Sequence, residues 1–251
     1  MRRVTVWAMR AFVAGIAWSA TALACGGSQE SEPVGNVQDA TDIARQAKIR
    51  EDSIKAIKAD SLTRYESLTE ADFELVAEEL GVEVAAMKAV VVIEAGTAMK
   101  GFWAPGVPVV NFDPSMYRAH ASKAPSKAGD KSAQVPKGLS GYALKEWTQL
   151  TKARHKNAQG ANMGTFWGMF QIGGFNYKLC GCKSVTEFVE RMSYSELEQL
   201  ELFARFIENT GLVKYLRNKD WAKFARAYNG PSYARRGYHT KMANAYKRFS
   251  K

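Results

Sequence analysis

Apolar positions recur at helical spacing along much of this chain, and the breaks between the stripes define its elements. Between Asp39 and Arg64, Ile43, Ala47, Ile54, Ile57 and Leu62 form a loose stripe without Pro or Gly, which predicts a helical segment ahead of the main domain. Thr69 to Asp72 reads as a capped helix start. Phe73, Val76, Ala77 and Leu80 carry that helix to Gly81, a natural stop. A second helix holds Val84, Met87, Val90, Val91 and Ile93 and ends over Glu94–Gly96. Its β-branched run also suits a strand, but the Ala-rich lead-in decides for helix. Residues 97–141 contain Pro105, Pro108, Pro114, Pro125 and Pro136, so they are expected to be irregular, with one extended piece over Val107–Phe112. A stretch this long without clear elements is usually functional or mobile. Helix returns over Tyr142–Lys156. Ser184–Glu187 and Ser195–Glu198 read as further capping boxes, opening helices that hold Phe188, Met192, Leu200, Phe203 and Phe206. Asp220 and Trp221 open another, with Phe224 and Tyr228 on one face, and a last helix holds Met242, Ala245 and Phe249. The sum is a mainly α domain (α+β, with one small β element) and no internal repeat.

The first 25 residues follow a different pattern. Arg2, Arg3 and Arg10 precede an apolar stretch from Ala11 to Ala24, the arrangement of a secretory signal. The stretch is short of the roughly 20 apolar residues that a membrane span needs. It ends at Ala22, Leu23, Ala24 and Cys25, followed by Gly26 and Gly27. Small residues before a single cysteine resemble a bacterial lipoprotein cleavage site, although Ala22 stands where Leu is usual. In that reading Cys25 becomes the lipid-bearing first mature residue; in the alternative an ordinary signal peptide is cut nearby. Residues 26–38 are polar and read as a tether. The expected organisation is therefore 1–25 signal, 26–67 tether and helical segment, and 68–251 one compact domain. With 251 residues and 46% hydrophobic content, the chain can bury one good core.

Charge divides the chain. Residues 26–113 carry a net −8, residues 114–164 a net +7 and residues 205–251 a net +10. A basic C-terminal half suits a polyanionic partner. For an exported protein, cell-wall polymer with its peptide carboxylates is a better candidate than nucleic acid, and a solvated basic surface is the plainer alternative. Cys180 and Cys182 are the only cysteines besides Cys25. They are too few for a metal site, and neither CxxC nor HExxH is present, so no metal or cofactor is expected. An oxidising compartment permits a Cys180–Cys182 bridge, but the ring is tight, so two packed thiols remain the alternative. A thiol-peptidase reading with His239 has no patterned partner to support it.

Three motifs carry the chemistry. Glu94 closes a helix in VVIEAG, residues 168–172 read GMFQI, and residues 227–230 read AYNG. This order resembles goose-type lysozymes and lytic transglycosylases. The text is more similar still to the N-acetylmuramidase domain of phage endolysins and bacterial cell-wall enzymes. The matching phrases are residues 68–72 (LTEAD), 80–84 (LGVEV), 167–172 (WGMFQI), 174–176 (GFN), 220–222 (DWA) and 228–231 (YNGP), which span most of residues 68–251. The resemblance implies a lysozyme-like fold and cleavage of the glycan strands of peptidoglycan by a monomer. One departure matters. The family often shows Phe-Glu and then a His two residues on, whereas this chain reads Phe112, Asp113, Pro114, Ser115. The carboxylate is shortened and the His is absent, which puts a second catalytic carboxylate in doubt.

The residues support the chemistry independently. Glycoside cleavage needs a carboxylic acid still protonated near neutral pH. Val90 to Ile93 offer Glu94 an apolar wall, and a helix C-terminus opposes its ionisation. A surface Glu at a helix end is the bland reading, and the resemblance reverses it. Asp113 is a candidate to place the attacking water, with a cap before Pro114 as the equal alternative. Gln171 is a candidate to bind an acetamido or ring substituent, as its counterpart in the resembled motif does. Tyr228 would orient Glu94 or substrate, or simply pack in the core. Asn229 would contact substrate while shaping the turn, or simply cap a helix. Trp167 would stack on a sugar, though buried Trp is commoner. A lytic transglycosylase and a non-catalytic wall-binding lipoprotein are the rival functions, and retention of Glu94 argues against the second.

Overall fold

In the computed structural model of the protein, residues 67–95 and 100–251 are described. The signal segment, Cys25, the tether and the 39–64 helix lie outside the described residues. Helix α1 (Glu70–Leu80) starts at the expected box: Thr69 Oγ1 accepts the Asp72 N–H, and the Asp72 carboxylate accepts the Thr69 N–H. It stops at Gly81, whose φ of 59° only glycine adopts freely. Helix α2 (Val84–Glu94) follows, so the β-branched run is helical.

The segment expected to be irregular is so over residues 122–140, which form neither helix nor strand, whereas its earlier part is ordered. That part forms a hairpin of β1 (Phe102–Ala104) and β2 (Val107–Pro108), then strand β3 (Val110–Phe112) and helix α3 (Pro114–Ala121). The prolines are compatible with order because of where they fall. Pro108 ends a strand, and Pro114 occupies the first turn of a helix, where its missing N–H is not needed. Helix α4 (Gly141–Arg154) and helix α5 (Ala158–Met163) lead into β4 (Thr165–Trp167) and β5 (Ile172–Gly173). Strands β3, β4 and β5 make a three-stranded antiparallel sheet, with Asn111 opposite Phe166 and Trp167 opposite Ile172.

Helix α6 (Val185–Met192) and helix α7 (Glu196–Asn209) begin at the two expected serines, each accepting an N–H three residues on. The Glu187 carboxylate does not close its box on Ser184; it accepts the N–H of Lys183, one residue earlier. Glu198 pairs with Arg191 across the α6–α7 corner. Helices α8 (Val213–Arg217), α9 (Trp221–Asn229) and α10 (Tyr238–Phe249) complete the described chain. Helix α7 runs through the core: Leu200, Leu202, Phe203 and Ile207 are fully buried, together with four polar residues, Glu196, Glu198, Gln199 and Glu201. Helix α10 lies on α2, where Ala245, Tyr246 and Phe249 pack with Ala89, Val92 and Ile93. Truncating a side chain as central as Phe203 to Ala would cost roughly 3–5 kcal/mol.

Candidate active site

Glu94 is the last residue of α2, at the negative end of its helix dipole. The turn before it, Val90 to Val92, is buried, and Glu94 itself is only 6% exposed. Burial removes water from the carboxylate and pushes its pKa up to about 7, against a smaller lowering by the Asn229 side chain. That side chain donates from Nδ2 to Glu94 Oε1 at 2.9 Å. Asn229 is thus the direct partner of the acid, a role its sequence position gave little reason to assign.

Tyr228, its neighbour on α9, points elsewhere. Its hydroxyl donates to the Phe170 carbonyl at 2.9 Å, and its ring lies against Phe203, Phe206 and Phe224. Tyr228 therefore packs in the core and ties α9 to the turn that carries Gln171. Burial, and then the nearby Glu94 charge, raise its pKa well above the usual phenol value. The end of α9 thereby connects the acid, through Asn229, to the Gln171 turn, through Tyr228.

That turn is tight. Gly168 has φ 69° and Gln171 φ 50°, the latter unusual for a residue with a side chain. Gln171 Nε2 donates to the Gly168 carbonyl at 2.8 Å. Gln171 also lines a small cavity with Phe166, Ile172, Asn176, Phe206 and Tyr228.

Two sequence candidates sit away from this cluster. Trp167 is fully buried, so it presents no face to a sugar; its Nε1 donates to the Asn162 carbonyl, its ring packs edge-to-face with Trp147, and the Arg154 guanidinium lies within 5.4 Å of both ring centres. The Asp113 carboxylate caps α3, accepting the Ser115 N–H at 2.7 Å, the Met116 N–H at 3.1 Å and the Ser115 hydroxyl. Glu146, which the sequence did not single out, is buried beneath this corner, and its Oε2 accepts the Phe112 N–H at 2.9 Å. Burial raises its pKa. Cys180 and Cys182 are free thiols packed in the core, not a bridge, and burial raises the pKa of both. Inert thiols of this kind do not suit nucleophilic chemistry. Among the described residues no group of three or more His, Cys, Asp or Glu side chains is placed to hold a metal ion.

Residues 83–250 match the family model of N-acetylmuramidase, "Muramidase". A crystal structure of the Burkholderia AP3 phage endolysin is similar, with a TM-score of 0.61 and 38% sequence identity over 73% of this chain and 71% of that one. No curated protein matches the chain.

Proposed function

Starting from a chain that belongs to the N-acetylmuramidase family and is a peptidoglycan hydrolase of the glycoside hydrolase class, we propose that it cleaves the β-1,4 bond between N-acetylmuramic acid and N-acetylglucosamine, with Glu94 as general acid. The observation that carries this reading is a nearly inaccessible carboxyl, held at about pKa 7, at the end of an apolar helix. Glu94 gives its proton to the glycosidic oxygen as positive charge builds on the sugar ring. The resulting carboxylate keeps the Asn229 amide as a donor, which favours the charged form once the proton has left. Gln171, with Nε2 occupied by Gly168, offers Oε1 to accept an acetamido N–H of the substrate. Asp113 serves as the cap of α3, and substrate or another group places the water.

Mass spectrometry of fragments from digested peptidoglycan tests the reaction. Hydrolysis leaves reducing ends, whereas a transglycosylase leaves 1,6-anhydro ends lighter by one water. Glu94→Gln should yield almost no fragments of either kind while still binding the wall, and fragments at wild-type yield from that variant would refute the assignment.

The setting we propose is the cell envelope. Cys25 carries lipid, and the polar tether lets the enzyme work from a bacterial membrane on nearby glycan. An acyl anchor holds by burying methylenes, about 0.8 kcal/mol each. Cys25→Ala should move the protein from the membrane to the soluble fraction of its native host. Wild-type protein that is already soluble there would remove the anchor from the reading.

A further inference from the structure

Helix α7 carries four buried polar side chains, and two of them reach the surroundings of the proposed site. Gln199 is fully buried, yet its amide is well used. Oε1 accepts the Met169 N–H at 2.8 Å, and Nε2 donates to the carbonyls of Met192 at 2.9 Å and Gly101 at 3.2 Å. Glu196, one turn earlier, accepts the Gly101 N–H at 2.7 Å. Gly101, in the segment that follows α2, thus has both backbone groups bonded to side chains of α7.

The fit around the amide is close. A β-carbon at Gly101 would lie 2.3 Å from Gln199 Oε1, and one at Gly168 would lie 2.7 Å from it. Two glycines on separate segments therefore let the backbone approach one buried amide. A leucine or methionine would fill this helix position without the cost of burying an amide, a cost offset only when the group is bonded.

The segment held by Oε1 is the turn of residues 168–171. Its backbone is strained at Gln171, which holds a left-handed conformation that side-chain-bearing residues rarely adopt. Such strain persists only where the surroundings over-determine it. The Gly168 N–H bonds to the Val109 carbonyl, the Phe170 carbonyl accepts Tyr228, and the Met169 N–H between them is taken by Gln199. We propose that Gln199 is a positioning residue: from within the core it locks the strained turn, and so the Gln171 side chain, in register with the segment that follows the Glu94 helix. This rests on the reading of Gln171 as a substrate contact.

The test is a double-mutant cycle on peptidoglycan cleavage. Gln199→Met keeps the volume but removes the hydrogen bonds. With folding and thermal midpoint checked, kcat/KM should fall about 10- to 100-fold, the scale of a misplacement near 1 Å. In a Gln171→Ala background the same change should cost less than about threefold, because residues acting through one another are not additive. Equal costs in both backgrounds, as a merely structural role would give, overturn the proposal. Wild-type activity in Gln199→Met beside a crippled Gln171→Ala overturns the positioning alone. Wild-type activity in Gln171→Ala overturns the substrate role of Gln171, and the proposal with it. If Gln199→Met does not fold, Gln199→Glu decides. Its protonated carboxyl can still accept from Met169 and donate to Gly101, so its activity relative to wild type should rise from about pH 8 to about pH 5. A flat ratio overturns the proposal.

Discussion

Two carboxyl groups stand at opposite kinds of helix end, and their surroundings differ in every respect that matters to a proton. Glu94 closes α2, buried behind a run of valines, with one amide donor on one oxygen. Asp113 opens α3, half-buried, with two backbone N–H groups and a hydroxyl on a single oxygen. The C-terminus of a helix and a dry wall favour a held proton; the N-terminus and several donors suit a negative charge. The same functional group is fitted to acid chemistry in one place and to capping in the other, and position along a helix makes much of the difference.

The largest expected effect comes from removing the proton. Glu94→Gln should lower glycan cleavage by about 10² to 10⁴, the usual contribution of a general acid. A variant that keeps more than about a tenth of wild-type turnover would show that the proton comes from elsewhere.

The same substitution should stabilise the fold at alkaline pH. The Glu94 pKa is raised from 4.5 to about 7, so the folded state holds its proton longer than the unfolded chain. Below the unfolded value both states are protonated and nothing is lost. Stability then falls as pH rises to about 7, and above that the deficit is complete, roughly 3 kcal/mol at 1.36 kcal/mol per unit. Denaturant midpoints of wild type and Glu94→Gln should therefore diverge from pH 4 to pH 8, with the variant ahead. Parallel curves would mean that Glu94 is not a buried acid.

Removing its partner sharpens the comparison further. The Asn229 amide lowers the Glu94 pKa, so Asn229→Ala should move the alkaline limb of the kcat profile to higher pH. A limb that stays put would mean that the amide does not act on the carboxyl. The smallest effect belongs to Asp113. Asn is as good a cap as Asp, so Asp113→Asn should leave cleavage within about threefold of wild type and stability nearly unchanged, while Asp113→Ala should cost about 1 kcal/mol in urea. A large loss of cleavage in the Asn variant would return Asp113 to the chemistry.

Much of this was legible in the sequence because the signals are local. Thr69 and Asp72, Gly81, Ser184, Ser195 and Asp220 mark helix ends through bonds spanning a few residues, and those ends lie where the residues put them. Glu94 was singled out by the order of the family-like motifs; its apolar approach and helix-end position fit the role but by themselves suit a surface Glu as well. Helix α3 was lost because Pro114 reads as a breaker and the helix it opens is short and has no buried face, even though Asp113 before it offered a cap. Strand β4 was lost because all three of its residues are buried, which erases alternation. The bond from Asn229, a candidate on other grounds, to Glu94 and the roles of Gln199 and Glu146 were beyond reach for a different reason. The partners of these residues lie 135, 30 and 34 residues away, and a polar residue in an amphipathic stretch carries no mark of facing inward.

The packing of α10 on α2 also sets the order in which this molecule can be completed during synthesis. The Tyr246 hydroxyl donates to Glu83, and the two are separated by 163 residues of chain. At translation rates of about 5–20 residues per second, α2 leaves the ribosome roughly 8–30 s before the helix that covers it. A nascent chain holding α2 alone lacks the surface that keeps water from this side of the helix. That side of α2 is closed only when the late helix docks, so the dry wall behind Glu94 is completed from the C-terminal part of the chain.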